Sequence, residues 1–235
     1  MKRQNVSIND LKALPSVKGT STFHPVAHYD LAAIVEAQID SQGFELKSHR
    51  IDTNKSGSQA FGTLILNSGN DSDFMLGWRN STDKTLSIGL CSGLHIVNCA
   101  NLMFSGKFLT FRKHTSGLYI EEVEDLTKEA VIELPVYKEQ MDTKLAQYAE
   151  IEIETPVLKE ITYDLIMNKV FSPSQFHNFH NCMDEEMELG SNVRTLNTVH
   201  NGVTRLLRKQ PLMTVSDSTP LLTAVTDDYY LQYAA

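Results

Sequence analysis

The chain has few of the residues that mark secreted, membrane-bound or disulfide-linked proteins. Its 235 residues include three cysteines, which are too few for a disulfide framework. No apolar run approaches the roughly 20 residues that cross a bilayer, and the first residues lack the apolar stretch of a signal peptide. These absences predict a soluble protein, without a membrane partner, that stays where it is made and keeps its cysteines as buried thiols.

Several enzyme motifs are absent as well. The chain has no G-x-x-x-x-G-K-[ST] phosphate loop, no G-x-G-x-x-G after a strand and no G-x-S-x-G nucleophile elbow. Cys99 would need a base to act as a nucleophile. His95 lies four residues before it, about 13 Å away on a strand, which is too far for a hydrogen bond. We therefore expect no catalytic residue and no cofactor.

Charge is distributed unevenly along the chain. Residues 1–120 carry 12 basic and 9 acidic side chains, a net charge of +3. Residues 121–160 carry 4 basic and 12 acidic side chains, a net charge of −8. Residues 161–235 carry 5 basic and 8 acidic side chains, a net charge of −3. This asymmetry permits a mildly basic binding surface in the first half and an acidic surface after it.

The hydrophobic pattern changes period along the chain. Residues 1–24 have no sustained period, and we expect a flexible or docked arm. Apolar residues at helical spacing in "YDLAAIVEAQIDSQGF" predict a helix, and short apolar runs between Gly-, Asn- and Ser-rich turns then predict strands. The β-rich pattern continues to about residue 123, and the pattern after it is helical, with prolines near the helix boundaries. The order predicts an α+β fold: an N-terminal helix and antiparallel β-rich block in residues 25–134, and a mostly helical region in residues 135–235 packed on it as one domain.

The segment "WRNSTDKT", residues 78–85, places polar side chains between two apolar runs. Three of them can hydrogen-bond nearby backbone amides and make a self-satisfied turn, namely Asn80, Ser81 and Asp83. The alternative is that the segment faces a ligand. Trp78 and Arg79 would then stack on a base or clamp a phosphate beside the amide groups. The residues leave both interpretations open.

This segment and the next resemble a phage- and plasmid-like family, catalogued as domain of unknown function 932. The family signature is Asn-Ser-x-Asp, an apolar strand, and Cys-x-Asn-Leu before a glycine. The matching positions here are Asn80, Ser81, Asp83, Cys99, Asn101, Leu102 and Gly106. A helix ending at Gly43-Phe44, the basic segment 112–117 and the segment 195–209 are also similar to parts of the family.

The resemblance covers roughly residues 23–120, with one departure from the family pattern. Many members have His-Asp-Gly after Asn-Ser, whereas this chain has Thr82-Asp83-Lys84, so no role of that histidine is carried over. The family has no settled activity. The resemblance implies a bacteriophage or other mobile element, and hence a viral protein acting in the cytoplasm of a host cell.

Basic and aromatic residues are interleaved in "KFLTFRKH". With basic residues from the earlier segment they would line one groove if their strands are neighbours, as in non-specific single-strand binders. The aromatic rings would stack on bases or pack behind the groove. The predicted binding residues are Trp78, Arg79, Lys84, Lys107, Phe108, Phe111, Arg112 and Lys113. The alternative is that the lysines lie on strand edges, where they prevent edge-to-edge association, and that the phenylalanines lie in the hydrophobic core.

"FHNFHNCMDEE" contains residues that can bind metals. His177, His180 and Asp184 would share one face of a helix. No H-E-x-x-H or paired-cysteine spacing supports a site, and the interleaved phenylalanines suggest core contacts. We expect no metal site here.

Three functions remain open at this point. The first is a non-enzymatic protein that binds single-stranded DNA in replication, recombination or annealing. It would act either alone or as a homo-oligomer. The second is an anti-defence protein whose acidic region binds and inhibits a host defence factor. The third is a metal-dependent hydrolase, which would need a metal site.

Overall fold

The structure, a computed structural model, describes residues 4–69, 72–96, 101–104, 110–115, 118–190 and 192–234. The chain divides into two compact units. The first comprises Met1–Gly93 and Phe108–Val136, and the second comprises Leu94–Lys107 and Tyr137–Ala235. Each unit therefore combines segments that are distant in sequence.

The described residues contain strands, α-helices and one 3-10 turn. They are, in chain order, β1 (Gln4–Val6), α1 (Ile8–Lys12), α2 (His28–Ser41), β2 (Leu46–Thr53), β3 (Gln59–Leu66), β4 (Ser72–Ser81), β5 (Ile88–Ile96), β6 (Asn101–Phe104), β7 (Thr110–Arg112), α3 (Ile120–Ile132), α4 (Leu134–Ala149), α5 (Thr155–Met167), the 3-10 turn (Pro173–Gln175), α6 (Phe176–Leu189), α7 (Leu196–Leu207) and α8 (Leu212–Tyr233). None of these helices is both long and apolar enough to cross a membrane. A sheet in the N-terminal half and helices in the C-terminal half confirm the predicted α+β class.

The sheet of the first unit is an antiparallel meander. Strands β1 to β5 are neighbours in sequence order, and β7 pairs with β5. The turn between β2 and β3 is held by Asn54, whose Oδ1 accepts from the backbone N–H of Ser58 at 2.9 Å and of Gln59 at 3.2 Å. Gly57 in this turn has a φ of +68°, which glycine adopts without strain. The residues of this turn therefore stabilise the predicted hairpin.

An apolar face of α2 covers the sheet. Leu31, Val35 and Ile39 recur every four residues and are at most 1% exposed, because that spacing places them on one side of the helix. They share a core with Leu64 of β3 and Leu76 of β4. Each such side chain contributes about 1.5–3 kcal/mol when fully buried. Helix-on-sheet packing is therefore a main source of stability in this unit.

The residues before α2 are docked on the sheet. Strand β1 pairs with β2, with Gln4 opposite Thr53. Helix α1 begins at a capping box in which Ser7 and Asp10 bond each other's backbone N–H groups. Leu11 of α1 is only 4% exposed. Residues 4–12 are thus held against the first unit through β1 and Leu11.

Trp78 of β4 is completely buried at the centre of the first unit. It lies opposite Gly62 of β3 in the ladder, and the absence of a side chain there makes room for the indole ring. The indole N–H donates to His49 Nε2 at 3.0 Å, so the proton of the neutral imidazole is on Nδ1. That N–H donates to Glu36 Oε1 of α2 at 2.7 Å. One hydrogen-bonded chain therefore links β4, β2 and α2.

Helix α7 provides much of the core of the second unit. Its side chains Leu196, Val199, Val203 and Leu207 recur at helical spacing and are at most 1% exposed. The helix begins at a capping box around Thr195. An amphipathic helix of this kind is stabilised mainly by burial of its apolar face.

A polar cluster connects three helices of the second unit. The Tyr148 hydroxyl donates to Asp227 Oδ1, Lys144 Nζ donates to Asp227 Oδ2 at 2.8 Å, and the Thr226 hydroxyl donates to the Tyr148 oxygen at 3.2 Å. His200 packs against the Tyr148 ring, with centroids 5.7 Å apart, and burial lowers the pKa of His200 to about 4. The cluster joins α4, α7 and α8.

Pro220 departs from the expectation that the prolines lie near helix boundaries. It lies inside α8, where it removes one backbone donor from the helix. Its neighbours Thr219 and Leu222 are at most 1% exposed, and the Thr219 hydroxyl donates to the Val215 carbonyl at 2.9 Å. The buried side chains on either side of Pro220 keep the helix continuous at this position.

We expect Gly62→Ala to lower the free energy of unfolding by about 1–3 kcal/mol, because the new methyl would lie 2.0 Å from Trp78 Nε1. Adding Trp78→Phe should recover part of that loss, since the smaller ring leaves space for the methyl. Urea denaturation of the wild type, the two single variants and the double variant measures this coupling. Fully additive losses would contradict the packing.

Candidate functional site

Asn80 is a buried link between the end of β4 and the residues that lead into α2. Its Nδ2 donates to the Val26 carbonyl at 2.9 Å and to His28 Nδ1 at 3.0 Å. The His28 proton is therefore on Nε2, which donates to the Gly57 carbonyl at 3.1 Å. Asn80 Oδ1 is buried without a hydrogen-bond partner among the described residues. Asn80 thus acts through its nitrogen as a structural brace.

Ser81 and Asp83 satisfy the turn that follows β4. The Ser81 hydroxyl donates to the Leu86 carbonyl and accepts from the Leu86 N–H, both at 2.9 Å. Asp83 accepts from the Ser58 hydroxyl at 2.6 Å and from the Thr85 N–H at 3.1 Å, and these bonds keep the pKa of the exposed Asp83 carboxyl below its ordinary value. Of the two interpretations of "WRNSTDKT", these contacts match the self-satisfied turn.

Two neighbours of this turn lie away from solvent. Trp78 is completely buried, so its ring has no face open to a base. Its neighbours are His49 and Gly62 of the first unit's core. Arg79 is partly buried on the same strand.

Several predicted residues cannot be placed by their side chains. Cys99, Lys107 and Phe108 lie outside the described residues, and only the backbone of Asn101, Phe111 and Arg112 is described. Lys84 and Lys113 remain, and both are exposed. These two lysines are the predicted binding residues that the structure brings to one place.

A cavity of about 270 Å³ lies between three segments of the first unit. Its lining residues are Thr22, Phe23, Lys84, Thr85, Leu86, Ser87, Lys113 and His114. The sheet explains why these segments meet. Ile88 of β5 pairs with Arg112 of β7, so the residues just before β5 and just after β7 run side by side. The backbone N–H of His24 donates to the His114 carbonyl at 3.2 Å, which adds the arm as a third wall.

Phe23 forms the apolar part of the cavity wall. Its ring lies edge-on to His114, with centroids 5.7 Å apart. The Nζ atom of Lys84 lies 4.8 Å from the Phe23 ring centroid, a cation–π contact. Lys84 has a φ of +67°, which turns the backbone sharply at this point. The contact holds one cation at the rim of the cavity.

His114 is the buried polar group of the cavity. It is 7% exposed, and burial lowers the pKa of its imidazole. Nδ1 lies 3.4 Å from the Val26 nitrogen and 3.3 Å from the His24 carbonyl oxygen. Nε2 is buried and has no hydrogen-bond partner among the described residues. The ring is therefore held from the arm side through one nitrogen only.

Sequence reasoning did not select His114, Phe23 or Thr22. His114 was visible only as the last residue of "RKH", and the two arm residues carried no signal because their role depends on contacts with residues about 60 to 90 positions away. None of the described residues lining the cavity is acidic. The charged residues that line it are Lys84 and Lys113, and the Asp83 carboxylate lies beside them, where it accepts from the N–H of the lining residue Thr85.

The other candidate groups have ordinary surroundings. His180 packs against the Phe176 ring with centroids 4.6 Å apart, and Asn181 Nδ2 lies 3.4 Å from His177 Nε2. Among the described residues, no three His, Cys, Asp or Glu side chains are grouped to hold a metal ion. Burial raises the pKa values of Cys91 and Cys182, and both thiols are buried.

Comparisons with protein-family models, with curated proteins and with solved structures give no match to this chain. The resemblance to the phage- and plasmid-like family therefore stays a hypothesis that rests on the residues quoted for it.

Replacing Asn80 by Ala should lower the free energy of unfolding by about 1–3 kcal/mol, because two buried groups lose their hydrogen-bond partner. Those groups are the Val26 carbonyl and His28 Nδ1. Thr82→Ala, two residues further on in the same turn, should change it by less than about 0.5 kcal/mol. Urea denaturation compares the two. Equal effects would mean that Asn80 is not a brace.

The first unit should lose stability as the pH falls below about 6.5. Burial lowers the pKa values of His28, His49 and His114 from the ordinary value of 6.5. The unfolded chain then binds more protons than the native protein below that pH, so the free energy of unfolding decreases with acid. We expect a loss on the order of 1 kcal/mol between pH 7 and about pH 5.5.

Denaturation curves across this pH range, followed by the fluorescence of Trp78, measure the effect. Replacement of the exposed His24 by Gln is the control and should leave the pH dependence unchanged. A stability that is constant or increases on acidification would show that these imidazoles are not held neutral.

Proposed function

We propose that the first unit binds single-stranded nucleic acid at the cavity between the arm, the β4–β5 turn and the end of β7. The observation that supports this is the pair of exposed lysines, Lys84 and Lys113, on one cavity that no described acidic residue lines. Contacts between cations and phosphates provide most of the affinity of non-specific strand binding. The two lysines would contact successive parts of a strand backbone.

The chain just before Lys113 is rich in basic and aromatic residues. Lys107, Phe108, Phe111 and Arg112 precede it in the chain, and β7 runs directly into the cavity wall. In this proposal the basic residues of this run follow the phosphates and its rings stack on bases.

The charge distribution favours the same half of the chain. Residues 1–120 carry a net charge of +3 within a chain of net charge −8, so a polyanion would be drawn to the first half. The family resemblance adds the setting. In this proposal the protein belongs to a phage or related mobile element and acts without catalysis in replication, recombination or annealing in the host cytoplasm.

An acidic face on α3 supports a second candidate function. Its exposed carboxylates are Glu121, Glu124, Asp125 and Glu129. A helix face of this charge would dock on a basic surface of a host defence protein. The two functions use different elements, so removal of the cavity lysines would leave this second interaction intact.

We expect Lys84→Gln and Lys113→Gln each to weaken binding of a fluorescent single-stranded oligonucleotide. Each change should also reduce the slope of log affinity against log salt by about 0.7, because one phosphate contact is lost. Fluorescence anisotropy at several salt concentrations measures both quantities. Lys128→Gln on α3 is the matched control, since it removes the same charge from an exposed lysine outside the cavity.

Two results would contradict the proposal. One is the absence of binding by the wild-type protein at low salt. The other is binding that does not depend on salt, or that the two cavity lysines and Lys128 affect equally.

A further inference from the structure

Another cavity, of about 340 Å³, lies within the second unit. It is bordered by the end of α5, the chain that leads from α5 into the 3-10 turn, the end of α7 and the first two turns of α8. Sites for small molecules start at a volume of about 300 Å³ and combine apolar walls with a few polar groups. The size of this cavity therefore fits a small ligand.

One wall of the cavity is apolar and rigid. It is lined by Ile166, Val170, Phe171 and Leu207, and the last three of these are at most 4% exposed. The Phe171 ring packs on Phe179 with centroids 5.2 Å apart, so the core of the unit holds this wall in place. A ligand that displaces water from such a wall needs an apolar body of its own.

Ser218 is a buried hydroxyl of the cavity wall that no described residue satisfies. It lines the cavity and is 5% exposed. On the same helix the hydroxyls of Thr219, Thr223 and Thr226 each donate to the backbone carbonyl four residues earlier, at 2.9 to 3.0 Å. The Ser218 hydroxyl makes no hydrogen bond within the part of the chain that the structure describes. Because buried hydroxyls are normally paired, this one indicates a ligand group in the cavity.

Lys169 supplies the only charge among the described residues that line this cavity. The backbone turns there with a φ of +61°, and the next N–H, of Val170, donates to the Leu165 carbonyl at 2.9 Å. Asp217 adjoins Ser218 in the chain but is exposed and does not line the cavity. One unopposed cation therefore favours a ligand with one negative charge.

Gln175 adds a neutral donor. Its Oε1 accepts from the Ser172 backbone N–H at 3.0 Å and from the Ser172 hydroxyl at 3.1 Å. These contacts leave Nε2, a donor, as the end of the amide available to a ligand. A carboxylate has two acceptor oxygens and a single charge, whereas a phosphate monoester carries about −1.5 to −2. The single lysine matches the carboxylate.

We infer that the second unit binds a small carboxylate with an apolar body in this cavity. Lys169 forms the ion pair with the carboxylate, and the neutral donors Gln175 and Ser218 line the space that the ligand fills. The body of the ligand lies against the apolar wall. This site goes beyond the proposed function, which concerns the first unit, so either can fail while the other stands.

The test is an NMR titration of the full chain with hexanoate and benzoate, each compared with its neutral amide. The methyl signals of Ile166, Val170 and Leu207 should shift, whereas those of Val199 and Val203, which do not line the cavity, are the internal control. The acids should bind about threefold to fivefold more tightly than the amides, as expected for an ion pair with an exposed lysine.

Variants assign the contributions of the polar groups. Lys169→Gln should remove the preference for the acid, and Lys159→Gln, on the exposed side of α5 outside the cavity, is the matched control that should keep it. Lys169→Gly removes the same charge at a φ that glycine adopts without strain, so misfolding does not explain its effect. Ser218→Ala should weaken acid and amide alike by about fivefold, because both offer an oxygen to the hydroxyl.

Three results would overturn the inference. The first is the absence of shifts at the cavity methyls with all four probes. The second is equal affinity for acid and amide, or an equal effect of the two Lys→Gln changes, since the single cation would then not select the ligand. The third is a set of shifts with inorganic phosphate as large as those with hexanoate, which would show an anion site without an apolar component. None of these results changes strand binding by the first unit.

Discussion

The hydrogen bonds of the buried Asn80 amide are the contact on which the candidate site depends. Asn80 Nδ2 holds the Val26 carbonyl, and the Val26 N–H in turn reaches His114 Nδ1. These two hydrogen bonds join the arm, the end of β4 and the end of β7 through Asn80, Val26 and His114. All three are at least 90% buried, so water does not compete for these bonds. The cavity wall is a consequence of this chain of contacts.

The same strand explains why polar and aromatic side chains interrupt an apolar run. Trp78 and Asn80 are two residues apart, so both point to the same side of β4. Trp78 reaches Glu36 of α2 through His49, and Asn80 reaches His28 at the start of α2. The indole N–H of Trp78 and the amide nitrogen of Asn80 are thus both tied to residues on or next to α2. The polar side chains at the end of β4 are therefore explained by packing of a helix on a sheet, while Lys84 in the turn that follows stays exposed.

Local patterns in the sequence predicted local structure but not the contacts between residues that are distant in the chain. The spacing of Leu31, Val35 and Ile39 predicted α2, and the Gly/Ser-rich turn predicted the β2–β3 hairpin. The β-rich pattern was expected to continue through "LYIEEV" at residues 118–123, yet α3 begins at Ile120. The short elements β1 and α1 were missed since three to five residues carry too little periodicity. The lysines of the site were predicted by charge, whereas His114 and Phe23 gain their roles only from residues distant in sequence.

Native-state hydrogen exchange of wild type and Asn80→Ala tests the central claim most directly. If the Asn80 amide holds the arm against β4 and β7, its loss should increase exchange at the Val26 and His24 amides, which hydrogen-bond to His114 of the cavity wall. Amides in the β2–β3 ladder, such as Ile51 and Leu64, should keep their relative protection. A uniform increase across the first unit, or unchanged exchange at Val26 and His24, would contradict the claim that this one side chain builds the site.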